Sequence, residues 1–131
     1  MEPENLVFLS VEDVLLIQQD TIEQEGGGRG VRDLGLLEAA VMMPRQGFGG
    51  QYLHEDLAAM AAAYLFHIAM NHPFVDGNKR AAAMSSLVFL DLNGCSSLPE
   101  PTEMEQTTLA VASGDMSKDQ LTAWFRSAIA P

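Results

Sequence analysis

Apolar positions recur with a helical period along most of the chain, and polar or glycine-rich breaks divide that pattern into segments. Val11, Val14, Leu15 and Ile22 share one face of a segment opened by Ser10-Val11-Glu12-Asp13, a capping-box-like start with acids in the first turn. This predicts a helix from Ser10 to about Glu25, ended by the Gly26-Gly27-Gly28-Arg29-Gly30 run. Asp33 caps a short helix reaching about Met43 and stopped by Pro44. Residues 44–54, PRQGFGGQYLH, are too polar and too rich in glycine for a helix and read as an open loop or a small β-hairpin flap. From Glu55, the positions Leu57, Met60, Ala61, Tyr64, Leu65 and Ile68 return to helical spacing, to about Asn71 and a break before Pro73. The next helix starts at Gly77–Asn78 and extends to about Leu92. Its body, AAAMSSLVFLDL, is apolar nearly all round, which marks it as the central buried helix. Helices at about 101–113 and 118–129 complete the chain, the last opened by the capping box Ser117-Lys118-Asp119-Gln120. Strand patterns are almost absent. The expected fold is all-α: one domain over 1–131, a bundle of about six helices around a central buried helix.

Composition sharpens this picture. With 131 residues and 47% hydrophobic, the chain can fill one core, so disorder is excluded. The lone Cys95 rules out an internal disulfide and points to a reducing, cytoplasmic setting. No apolar run nears the roughly 20 residues that span a bilayer, and the acidic start MEPEN is unlike a signal peptide. The net charge of −11 is unevenly spread. Residues 1–25 carry seven acids and no base, residues 26–80 five of each, and residues 81–131 six acids against two bases. An acidic surface repels phosphate backbones, which argues against nucleic-acid binding. An anionic ligand belongs in the neutral middle.

That middle contains His72-Pro73-Phe74-Val75-Asp76-Gly77-Asn78-Lys79-Arg80, where one helix ends, a proline turn follows and the next helix begins. A helix N-terminus presents unpaired N–H groups and the positive end of the dipole to an anion. Gly77 admits a phosphate close to the backbone, and Lys79 and Arg80 add two full charges. His72 is of the residue type that most often serves as a general base, and Asp76 is a hard oxygen ligand of the kind Mg²⁺ takes beside phosphates. Base, metal carboxylate and phosphate cradle within nine residues suggest transfer of part of a nucleotide. Taken singly, His72 reads as a helix-end histidine, Asp76 as a helix cap, and Lys79 and Arg80 as solvated charges. His67 reads as a packed or capping histidine, and Met42, Met60, Met70 and Met84 as core filler. Phe48 and Tyr52, on a glycine-rich loop, favour a binding role over packing.

The nine-residue segment resembles the signature loop of the Fic/Doc (Fido) superfamily, His-x-Phe-x-Asp/Glu-Gly/Ala-Asn-Gly/Lys-Arg. The resemblance extends to GGGRGVRDLGLLEAAVMMP, to FGGQY and to SKDQLTAWF, which are similar to the short Doc, or death-on-curing, branch. AMP-transferring Fic proteins usually carry Gly where this chain has Lys79, and a second Arg where it has Ala83. Lys79 therefore implies the Doc arrangement, which transfers the γ-phosphate of ATP and is a protein kinase.

The resemblance implies roles residue by residue. His72 would take the proton of the target hydroxyl, Phe74 would anchor the loop, and Asp76 would hold Mg²⁺. Gly77 and Asn78 would bind phosphate, Asn78 would also fix the loop, and Lys79 and Arg80 would neutralise the transferring phosphate. The flap, Gly47, Phe48, Gly49, Gly50, Gln51 and Tyr52, would dock the target. The implied protein is the toxin of a toxin–antitoxin pair, acting on a Thr or Ser of a translation factor such as elongation factor Tu. Fic-type adenylyl transfer and a non-catalytic antitoxin-binding module are the alternatives. No segment is read as the family's inhibitory Ser/Thr-x-x-x-Glu-Gly/Asn helix, so the expected restraint is an antitoxin in trans.

Overall fold

The computed structural model describes residues 5–131, and all but the last residue of the acidic MEPEN start lies outside that range. Six helices form: α1 (Val11–Glu25), α2 (Leu34–Met42), α3 (Leu57–Asn71), α4 (Asn78–Leu92), α5 (Pro101–Ala112) and α6 (Lys118–Ala128). A 3-10 turn, Met43–Arg45, follows α2 and takes in Pro44, whose missing N–H costs nothing at the start of a turn. The starts are set by side chains. Ser10 and Ser117 close full capping boxes, Asp33 accepts the N–H of Leu36, and Asp56 that of Ala59.

The flap is a hairpin of two short strands, β1 (Gly47–Phe48) and β2 (Gln51–Tyr52), with Gly47 opposite Tyr52. Its turn, Gly49-Gly50, holds φ of 61° and 81° at successive positions, which side chains disfavour and a tight hairpin requires. The structure thus selects the hairpin over the open loop.

The central helix is α3, not α4. Ten of its residues are buried, from Ala58 to Ala69, whereas α4 buries six and leaves Met84 and Leu92 exposed. The alanines of α3 let α2, α4, α5 and α6 approach its axis closely. Tyr64, at the middle of α3, accepts the N–H of Leu9 on its hydroxyl at 2.8 Å and packs against Phe89 of α4 in a tilted ring pair. The methionines also differ from expectation. Met60 is core, but Met42, Met70 and Met84 are exposed.

Candidate active site

Because α3 and α4 are neighbours along the chain and in space, the turn between them brings the end of one helix to the start of the other. A cavity of about 630 Å³ opens there, lined on the motif side by His72, Asp76, Gly77, Asn78, Lys79 and Arg80. Its apolar wall includes Met84, Leu87, Met104 and Leu109, and Ala83 also faces it.

His72 caps α3 in the left-handed region, φ 48° and ψ 54°, and is the one non-glycine residue with positive φ among the described residues. Such a conformation costs roughly 1–2 kcal/mol for a residue with a Cβ, so the surrounding bonds must hold it. Phe74 is 1% exposed and forms a bridge with Val31. Asn78 returns to it twice, Oδ1 accepting the N–H of Phe74 at 2.9 Å and Nδ2 donating to its carbonyl at 3.0 Å. The loop is thereby closed on itself. Gly77, left-handed at φ 77°, occupies the cap position of α4, and no side chain accepts from the first turn. Those N–H groups remain available to an anion.

Asp76 is not the cap of α4. Its Oδ2 accepts the N–H of Gly28 at 2.6 Å, and Gln18, buried in α1, donates to its carbonyl at 3.0 Å. The glycine run explains this approach: a Cβ on Gly28 would stand 2.9 Å from both Asp76 Oδ2 and Val75 Cγ1. The segment after α1 is therefore a brace for the loop as well as a helix terminator.

Arg80 forms an ion pair with Glu25, the last residue of α1, and both side chains are about half exposed. Glu25 lines the same cavity. This corrects the expectation that no segment has the Ser/Thr-x-x-x-Glu-Gly/Asn pattern: Thr21-Ile22-Glu23-Gln24-Glu25-Gly26 satisfies that spacing. The signal was in the sequence, and the contact gives it meaning.

The flap does not join this cavity. Tyr52 packs edge-on to Phe8 with centroids 5.4 Å apart, and lines a second cavity of about 530 Å³ with Glu55, Asp56 and Arg126. Phe48 is 86% exposed. On another face of α3, His67 Nε2 lies 3.0 Å from Lys118 Nζ. Burial, with the charges of Lys118 and His54 beside it, pushes the His67 imidazole down to about 4. His67 is thus packed, as expected, with a partner that periodicity could not name.

A sequence model described as the Fic/DOC family matches residues 8–90. Toxin Doc of Mycolicibacterium smegmatis is 42% identical over 87 residues, which span 66% of this chain and 65% of that protein, just under two thirds of its length. Protein kinase doc of Escherichia phage P1 is 32% identical over 109 residues, 83% of this chain and 85% of that one.

Proposed function

The chain belongs to the Fic/DOC family, and from that premise we propose that it is a Doc-type toxin, a protein kinase that moves the γ-phosphate of ATP to a Thr or Ser hydroxyl. The observation that carries this reading is the convergence of His72, Asp76, Asn78, Lys79 and Arg80 on one cavity at an uncapped helix start. A volume of about 630 Å³ is within the range that small-molecule ligands occupy.

In this reading His72 accepts the proton of the attacking hydroxyl. The first-turn N–H groups of α4, with Lys79 and Arg80, hold the transferring phosphate and offset the charge that spreads over its oxygens. Asn78 keeps the turn rigid through both of its bonds to Phe74. Asp76 fits a Mg²⁺ ligand because Gly28 engages one oxygen and leaves the other unpaired. Among the described residues no group of three His, Cys, Asp or Glu could hold a metal, so a cation held by Asp76 would need phosphate and water for its other ligands. When bound, Mg²⁺ supplies charge neutralisation to the phosphates.

Lys79 and Ala83 favour γ-phosphate transfer. The Thr21–Gly26 pattern with its Glu25–Arg80 pair favours the other branch, adenylyl transfer, as a second reading. The likeness to a protein named Toxin Doc supports an antitoxin partner. We place the activity in the cytoplasm, with elongation factor Tu as the first target to test. No described helix is long and apolar enough to cross a membrane.

The test is incubation with elongation factor Tu, Mg²⁺ and ATP, with the intact mass of the target as readout and His72→Ala in parallel. A gain of roughly 80 Da, absent in the variant, supports the kinase, the balance expected of phosphoryl transfer. A gain of roughly 329 Da on the same mass arithmetic assigns adenylyl transfer instead.

A further inference from the structure

We propose that Arg32 is a positioning residue for His72, fixing the backbone from which that imidazole reaches the cavity; the inference rests on the reading of His72 as the base. α3 has no basic residue in its own last turn. Its terminal carbonyls are instead held by a guanidinium from the segment before α2. Arg32 Nε donates to the carbonyl of His72 at 2.7 Å, and Nη2 to that of Asn71 at 3.0 Å. The backbone N–H of the same residue donates to the carbonyl of Pro73 at 2.7 Å, joined there by the N–H of Asp33 at 3.1 Å. One residue thus holds three consecutive carbonyls, 71 to 73.

The middle of the three belongs to the residue with φ 48°. A left-handed residue with a Cβ persists only where its surroundings over-determine it. A planar fork reaching two adjacent carbonyls does so, and a cation at a helix C-terminus is also favoured by the dipole. If the clamp is released, φ and ψ of His72 relax and the Cα–Cβ direction swings with them. The phosphate side of the loop has separate support from the Asn78–Phe74 bonds. Loss of Arg32 therefore displaces the base and leaves the phosphate cradle in place.

The experiment compares Arg32→Gln and Arg32→Lys with the wild-type chain. It reads the melting temperature, the backbone chemical shifts of His72 by NMR without ligand, and the kinetics of phosphoryl transfer. We expect Arg32→Gln to move the His72 Cα shift away from left-handed values. Turnover should fall about 10- to 100-fold, the scale of a roughly 1 Å misplacement, with KM for ATP changed less than about twofold. Arg32→Lys, a single-point donor, should lie between. An unmoved His72 shift overturns the proposal. So does a moved shift with turnover intact, or a loss confined to KM. If Arg32→Gln does not fold, Arg32→Lys carries the same readouts. If the wild-type chain transfers no phosphate, the kinase reading fails, and the His72 shift alone decides whether Arg32 sets that backbone.

Discussion

Glu25→Gln should tighten nucleotide binding. Arg80 has an internal partner in Glu25, and both side chains are near half exposure, 53% and 42%. An exposed pair of this kind is worth about 0.2–1 kcal/mol. An entering phosphate must take Arg80 from that partner and then lie beside the remaining carboxylate, a repulsion of about 1 kcal/mol at 4 Å in water. Together these give roughly 1–2 kcal/mol, or about 5- to 30-fold in affinity. Stability should change little. A carboxylate in the last turn of α1 opposes the helix dipole by about 0.3–1 kcal/mol, so its removal offsets the lost pair. The assay is calorimetric titration with a non-hydrolysable ATP analogue and Mg²⁺ at low and high salt. Glu23→Gln, an exposed acid on the same helix, serves as the control for net charge. Screening should shrink the gain at high salt. Unchanged or weaker binding, or an equal gain from Glu23→Gln, would refute the reasoning.

Three further outcomes are expected. Phe48→Ser should leave stability within about 0.5 kcal/mol, as for an exposed residue; steady-state kinetics should show KM for the protein target rising about tenfold, the scale of one buried aromatic, with KM for ATP unchanged. Gly28→Ala places a Cβ 2.9 Å from Asp76 Oδ2; Mn²⁺ titration in the presence of ATP should show affinity lower by about tenfold or more, as for loss of a metal ligand's support. His67, with its pKa lowered to about 4 by burial and by Lys118 and His54, binds a proton in the unfolded chain at a pH where the folded one does not. Stability should therefore fall as pH drops from about 6.5 toward 4, by roughly 1–2 kcal/mol after discounting for solvent screening of the partly buried ring, and urea melts of His67→Gln across that window should lack this part of the slope.

The helix starts were legible because caps are local: Ser10, Asp33 and Ser117 each act within three residues. The loop from His72 to Arg80 was legible for a related reason, since its residues need no distant partner to share one turn. What stayed hidden is tertiary. Periodicity shows which face of a helix is apolar but does not rank helices by burial, so the leucine-rich α4 looked more central than the alanine-rich α3. The glycine run read as a terminator, yet its amide at Gly28 reaches 48 residues along the chain to Asp76. Gln18 and Arg32 belong to no local pattern that marks them, and only the fold shows that they hold loop carbonyls. Glu25 was one step from recognition. Its spacing from Thr21 is local, but its meaning depends on Arg80, 55 positions later.

These braces bear on how so acidic a chain could capture a nucleotide. Setting His72 aside, the cavity presents Glu25, Asp76 and Glu105 against Lys79 and Arg80, so carboxylates outnumber cations. Pairing with Glu25 further reduces the field that Arg80 offers to an anion. The uncapped start of α4 contributes only the equivalent of about half a charge. A polyphosphate carrying several negative charges therefore meets a site without a net attraction of its own. A divalent cation on Asp76 would reverse that balance, and nucleotide binding, not only the chemical step, would then depend on the metal. Titration with the ATP analogue in excess EDTA should then give no measurable binding to the wild-type chain. Glu25→Gln, which equalises carboxylates and cations, should recover a weak, salt-sensitive signal. Tight binding by the wild-type chain without a divalent cation would show that the loop amides outweigh the side-chain charges, and the electrostatic account of this site would fail.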